Sequence, residues 1–168
     1  MAIDLSKIPE FYRGYFDPET TESVVELLVK SREDFTYLLN TFSNKKAEFR
    51  YAEGKWSVKD LIQHIIDGER IFTYRAVRFA RNDRTDLSGF EQDDYVANAH
   101  ADKRDIQDLM AEFTATRNST ILFFESLNEA DYQRTGTANG YGFSVEVIGY
   151  MISGHLIHHL KVIREKYL

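Results

Sequence analysis

The chain has 168 residues, enough for one domain with a single core, and 43% of them are hydrophobic against 29% charged, the balance of a soluble globular protein. It has no cysteine, which excludes disulfides, thiolate metal sites and a nucleophilic thiol of its own. A net charge of −6 argues against nucleic acid as the main partner, no apolar run reaches the roughly 20 residues of a membrane span, and Met1 to Ser6 lacks the basic-then-apolar pattern of a signal peptide. These features predict a soluble, cytoplasmic protein, with residues 1–168 forming a single domain.

Four amphipathic stretches follow in chain order. The first spans about Pro18 to Phe42, with Val24, Val25, Leu27, Leu28, Phe35, Leu38, Leu39 and Phe42 at helical spacing; Asp17 is its expected N-cap and Pro18 its first helical residue. The second spans Ser57 to about Arg81. Ser57 and Asp60 have the spacing of a capping box, and Trp56 can staple onto Leu61. Its apolar stripe is Val58, Leu61, Ile65, Gly68, Phe72 and Phe79, with His64 beside it. The third spans about Lys103 to Leu127, with Ile106, Leu109, Met110, Phe113, Ile121, Phe124 and Leu127 facing the core. The fourth starts at Ser144 and runs to the C-terminus, its Phe143-Ser144-Val145 opening echoing Trp56-Ser57-Val58. Only two prolines occur, Pro9 and Pro18, so nothing downstream interrupts long helices. The pattern predicts an all-α four-helix bundle with almost no strand.

About 13 to 16 residues join helices one to two and three to four, whereas roughly 21, Asn82 to Asp102, separate helices two and three. A long link is what two parallel neighbours require, because the chain must return to the same end. An up-down-down-up order with a crossover between helices two and three is therefore expected.

The chemistry concentrates in histidines. The inward stripe of the fourth helix reads Ile148, Ile152, His155, His159, Val162, so two imidazoles occupy positions where the pattern asks for apolar residues. Four residues apart, they stand on one face, one turn from each other. Two such imidazoles can share one metal ion. His64 from another helix would complete a three-nitrogen site, which leaves coordination positions open for water or substrate. His158 lies about 60° round the helix from His155 and is either a competing metal ligand or, the preferred reading, a boundary residue or a donor to a ligand; His100, in the crossover, reads as a surface residue.

Other residues carry two readings each. Asp67, three residues after His64, either orients a ligand imidazole and accepts a proton from coordinated water, or is a solvated helix residue. Glu69 lies about 140° from His64 and is a weaker candidate for the same part. Arg75, Arg78, Arg81 and Arg84 either bind an anionic substrate or form a solvated stripe that complements the helix C-terminus. Gly68 and Gly154 each weaken a helix interior by about 1 kcal/mol, which points to close packing or to room beside a metal. No phosphate loop and no Ser-His-Asp arrangement is legible.

Gly54-Lys55-Trp56-Ser57-Val58, His64 with Asp67-Gly68-Glu69-Arg70, Arg78-Phe79-Ala80-Arg81, Gly154-His155 with His158-His159, and Glu165-Lys166-Tyr167-Leu168 together resemble the DinB/YfiT-like superfamily across nearly the whole chain. The resemblance implies a four-helix bundle with the long crossover between helices two and three, often dimeric. It also implies a divalent metal, commonly nickel or zinc, on three histidines that match His64, His155 and His159. Some members of that superfamily transfer low-molecular-weight thiols such as bacillithiol, or use mycothiol or glutathione; many are described only as metal-dependent hydrolases. For this chain the resemblance implies transfer of a small thiol to an electrophile, with the thiol as cosubstrate, or hydrolysis of a small substrate. A non-catalytic metal-binding stress or interaction module is the alternative. A homodimer that acts on a small molecule is the expected assembly.

Overall fold

The computed structural model describes residues 8–168; the Met1–Ser6 segment read above for a targeting signal lies outside the described residues. Four long helices form the bundle: α2 (Val24–Leu39), α4 (Val58–Ala80), α6 (Ile106–Glu125) and α8 (Val145–Lys166). Short helices α1 (Glu10–Arg13), α3 (Asn44–Ala47), α5 (Gln92–Ala99) and α7 (Glu129–Tyr132) lie in the connections. No helix among the described residues is long and apolar enough to cross a membrane.

Helix starts follow side-chain chemistry. Ser57 and Asp60 form the expected reciprocal box: Asp60 N–H donates to Ser57 Oγ at 3.1 Å, and Ser57 N–H donates to Asp60 Oδ2 at 2.9 Å. Ser144 Oγ accepts from Val147 N–H at 3.1 Å, so the two echoing openings share the serine half of the cap, while Val147 supplies no reciprocal acceptor. The first long helix departs from expectation. It begins at Val24 because Ser23 and Glu26 make a full capping box, whereas Asp17 closes a turn by accepting from Glu19 N–H at 2.9 Å, and Pro18 sits in that turn. The third long helix likewise starts at Ile106 rather than Lys103, where a 3-10 turn, Ala101–Lys103, ends the crossover.

Contacts set the packing. From Gln63 with Arg104, just before α6, through Glu69 with Arg117 to Thr73 with Thr120, the contacts advance in the same direction along α4 and α6. Along α2 and α6 the order reverses: Asn44 lies against Asp105, Phe35 against Phe113 and Leu28 against Arg117. Tyr167, at the end of α8, donates to Trp56 O at the start of α4 at 2.6 Å, while Phe79, near the end of α4, packs on the chain just before α8. The start of α2 meets the start of α8 at Val24 and Gly149.

One feature escaped the sequence reading. The link between α6 and α8 holds an antiparallel hairpin, β1 (Thr135–Ala138) and β2 (Tyr141–Ser144). Its turn is Asn139-Gly140, with φ values of 52° and 77°, the left-handed pair that a two-residue hairpin requires. Leu87 of the crossover docks beside it: Leu87 N–H donates to Thr137 O at 3.0 Å and Asn139 N–H to Leu87 O at 2.8 Å. The crossover is thus an ordered segment held across the bundle.

The core divides into two apolar clusters, one around Phe35, Ile62, Ile66, Phe113 and Leu160, the other around Leu28, Phe72, Phe79, Phe124 and Ile152. Between their sequence levels lies a buried polar layer. Arg117, fully buried, donates to Glu69 through Nε and Nη2, both at 2.8 Å, and through Nη1 to Leu28 O at 3.0 Å and Ser31 Oγ at 2.8 Å. One guanidinium therefore ties α6 to α4 and α2 at once.

Candidate metal centre

His64 comes from the second turn of α4, and His155 and His159 come from the middle of α8. All three side chains are buried, and their ligand atoms lie within 4.8 Å of one another. The central ring is His155: its Nε2 lies 2.9 Å from Nε2 of His64 and 3.1 Å from Nε2 of His159. The packing around the rings is aromatic. Trp56 lies on His64 with centroids 4.8 Å apart, and Tyr15 and Phe72 meet His155 edge-on at 5.3 and 5.8 Å.

Two glycines make this fit possible. A Cβ at Gly68 would come within 3.2 Å of His155 Cε1, so the missing side chain leaves that ring its place on α4. A Cβ at Gly154 would fall 1.7 Å from the carbonyl oxygen of Tyr15, so this glycine lets the N-terminal loop lie directly on α8. Gly154→Ala is therefore expected to push Tyr15 off His155 and to destabilise the protein by about 1–3 kcal/mol, as overpacking does. Thermal unfolding checks the stability loss, and a parent-like melting temperature would show that the loop yields freely.

Burial keeps the imidazoles neutral. Desolvation lowers His64 to about 4 and His159 to about 3, and it holds His155 well below its ordinary value, with the neighbouring histidines and Arg117 acting in the same direction. The unfolded chain takes up protons at these groups near pH 6.5, whereas the folded chain resists until far lower pH. Stability of the metal-free protein is therefore present above about pH 6.5 and is lost as the pH falls toward 4. Chemical denaturation midpoints between pH 7.5 and 4.5 check this; His159→Leu should flatten the slope, and a parent slope of zero would contradict neutral burial.

The remaining sequence candidates are placed as follows. His158 is exposed and stacks against Tyr15 at 5.5 Å; its ring lies outside the cluster of Nε2 atoms. His100 is exposed and caps α5 in the left-handed conformation, with φ 53°. Asp67 accepts from Gln63 Nε2 at 3.1 Å and lies 3.6 Å from Arg70 Nη1; none of these contacts reaches an imidazole. Burial raises its pKa. Glu69 is committed to Arg117. The arginine series does not act as one stripe: Arg75 is buried and donates to Ser88 O at 2.9 Å, Arg78 pairs with Asp83, and Arg81 and Arg84 are exposed or nearly so. Nδ1 of His159 and Oγ of Ser153 are buried without hydrogen-bond partners among the described residues.

Sequence reasoning passed over Arg117, Tyr15 and Asp93. Arg117 stands four residues after Phe113 and four before Ile121, a charge inside an apolar stripe, and that spacing was a usable signal. Tyr15 and Asp93 reach the site from loop and crossover, where no periodicity points inward. Asp93 lines a cavity of about 340 Å³ with Lys55, Trp56, Tyr167 and His159. A second cavity, about 280 Å³, opens on His64 and His155 from beside Phe72 and Tyr15.

Residues 27–163 match the DinB superfamily. The chain belongs to the DinB superfamily. Among solved structures, this DinB superfamily protein is similar to YfiT from Bacillus subtilis, described as a probable metal-dependent hydrolase with an unusual four-helix bundle topology; the TM-score is 0.77 at 13% identity, over 89% of this chain and 90% of that one. It is also similar to a mycothiol-dependent maleylpyruvate isomerase, with TM-score 0.69 at 14% identity, over 82% of this chain but 58% of the isomerase. At these identities the likeness shows the shared fold, a four-helix bundle. No curated protein sequence matches the chain.

Proposed function

We propose that this protein is a divalent-metal-dependent enzyme that transfers a small external thiol to an electrophile, with nickel or zinc held by His64, His155 and His159. The observation that carries the reading is the meeting of three buried, neutral imidazoles at their Nε2 atoms. A neutral imidazole nitrogen is either a donor or an acceptor. His155 Nε2 faces two like nitrogens, and one proton cannot serve all three. A single cation that accepts three lone pairs resolves the conflict, and three nitrogens of neutral histidine are an ordinary donor set for zinc or nickel. When bound, such an ion supplies Lewis acidity and lowers the pKa of a thiol or a water at its open positions.

The chain's own residues would do the rest. Trp56 and Phe72 shield the imidazoles from bulk water and fix their orientation. Two cavities reach the histidines, one at His64 and His155 and one at His159, which suits a reaction between two small molecules. The chamber with Lys55 and Asp93 offers a cation and an anion, the partners that a thiol such as bacillithiol, carrying both charges, requires. The chain has no cysteine, so the thiol comes from outside.

Turnover of an alkylating electrophile by zinc- or nickel-loaded protein, with and without bacillithiol or glutathione, tests the proposal. Thiol-dependent consumption is the expected result; consumption without thiol would assign hydrolysis instead, and no turnover with either metal would favour a non-catalytic module. Asp67 is the proposed proton acceptor of the site. Asp67→Asn is expected to keep the parent's metal content and lose turnover, and full turnover in that variant would make it a surface residue.

A further inference from the structure

We infer that the cavity on His64 and His155 is the seat of an uncharged, flat aromatic or conjugated molecule, the electrophilic partner of the reaction. The inference rests on the reading of the histidine cluster as a reaction centre. The cavity is built from rings supplied by four separate parts of the chain: Tyr12 and Tyr15 from the N-terminal segment, Phe72 from α4, Phe90 from the crossover and Tyr141 from the hairpin. Its floor is the pair of neutral imidazoles and Gly68. Tyr12 and Tyr15 stand 6.2 Å apart, Tyr15 meets His155 at 5.3 Å and Phe72 meets the same ring at 5.8 Å, so the aromatic wall is continuous down to the histidines.

Charge and size narrow the occupant. Glu91 is the one formally charged side chain on the lining, and no lysine or arginine lies there. Along the walls an anionic ring body would meet Glu91 and no lysine or arginine, so only the ion that the histidines are proposed to hold at the floor could draw it, and a cationic one would face that same positive ion. An uncharged ring meets aromatic faces and edges, which favour offset and edge-on stacking. Gln92 and Asn139 at the lining add neutral amides that can hold one polar substituent. At about 280 Å³ the space is at the small end of ligand pockets, which suits a body of one or two fused rings. The contrast with the Lys55 and Asp93 chamber is the point: one entrance is charged on both signs, the other almost uncharged.

The test is a fluorescence titration with three probes of one shape: 2-methoxynaphthalene, 2-naphthalenesulfonate and 2-naphthyltrimethylammonium. Zinc-loaded and metal-free protein are titrated, and metal content is measured on the same samples. The neutral probe is expected to bind at least about tenfold more tightly than the sulfonate in metal-free protein, where no ion draws the anion, and at least about tenfold more tightly than the ammonium in zinc-loaded protein. Phe90→Ala and Tyr141→Ala, both at positions outside the buried core, are expected to weaken it about fivefold or more at parent-like melting temperature. Tyr37→Ala, at a 78% exposed side chain remote from the lining, is expected to change nothing. Absence of saturable binding, equal affinity for the three probes, or parent-like binding in both ring-deleted variants would overturn the assignment. Neutral-probe binding to a chain that takes up no metal would leave the assignment standing and remove the metal reading.

Discussion

Arg117→Met is expected to destabilise the protein by about 3–5 kcal/mol, the loss found when one partner of a buried ion pair is removed. In a domain of this size that is a fall in melting temperature on the order of 10 °C. The reason is local. Glu69 is 2% exposed and both its carboxylate oxygens accept from Arg117, so without the guanidinium a carboxylate remains buried among α4, α6 and α2 with no countercharge. Ser31 loses its donor at the same time. The double variant Arg117→Met with Glu69→Leu should regain most of the loss, because an apolar replacement of a buried pair is often neutral or stabilising. Thermal or urea unfolding of the two variants decides it. A single variant as stable as the parent would show that the pair does not hold these three helices together.

The second large effect is metal-linked stability. At a thousandfold excess over its Kd, a ligand that binds only the folded state stabilises it by about 4 kcal/mol, again a shift on the order of 10 °C. Zinc-loaded parent should therefore melt well above chelator-treated parent. His155→Ala should erase the difference, because His155 Nε2 is the atom that both other imidazoles face. The gap should persist well below pH 6.5 and close only as the pH falls toward 4, because burial keeps the folded imidazoles neutral until then and the ligands must be deprotonated to bind. A chelator-insensitive melting temperature in the parent would count against the proposed centre.

Much of this architecture was legible before any coordinates. Ser57 and Ser144 cap where polar side chains precede apolar periodicity, and His155 and His159 broke an apolar stripe at the positions that turn inward. What stayed hidden has physical causes. Pro18 suits a first helical turn, yet the stronger local signal was Ser23 with Glu26, a reciprocal pair that fixes the start six residues later than a Pro18-based reading allows. The hairpin was signalled by Asn139-Gly140, but its strands are four residues each and carry three glycines or alanines beside the turn, too little apolar alternation to stand out. Tyr15 and Phe90 reach the site through loops, and Asp93 through the short crossover helix α5, whose paths depend on tertiary contacts such as Leu87 with the hairpin and Gly154 with Tyr15. Glu69 shows the limit of spacing: it is close to His64 along the sequence, yet both its carboxylate oxygens are committed to Arg117.

The most direct measurement is the metal content of protein purified without a nickel column, then saturated with zinc and desalted, for the parent and for His64→Ala, His155→Ala, His159→Ala and His158→Ala. The three-histidine centre requires one ion per chain in the parent and in His158→Ala, and little or none in the other three. An equal ion content in the parent and in His64→Ala would contradict it, because that result would place the metal somewhere other than the point where α4 and α8 bring their imidazoles together.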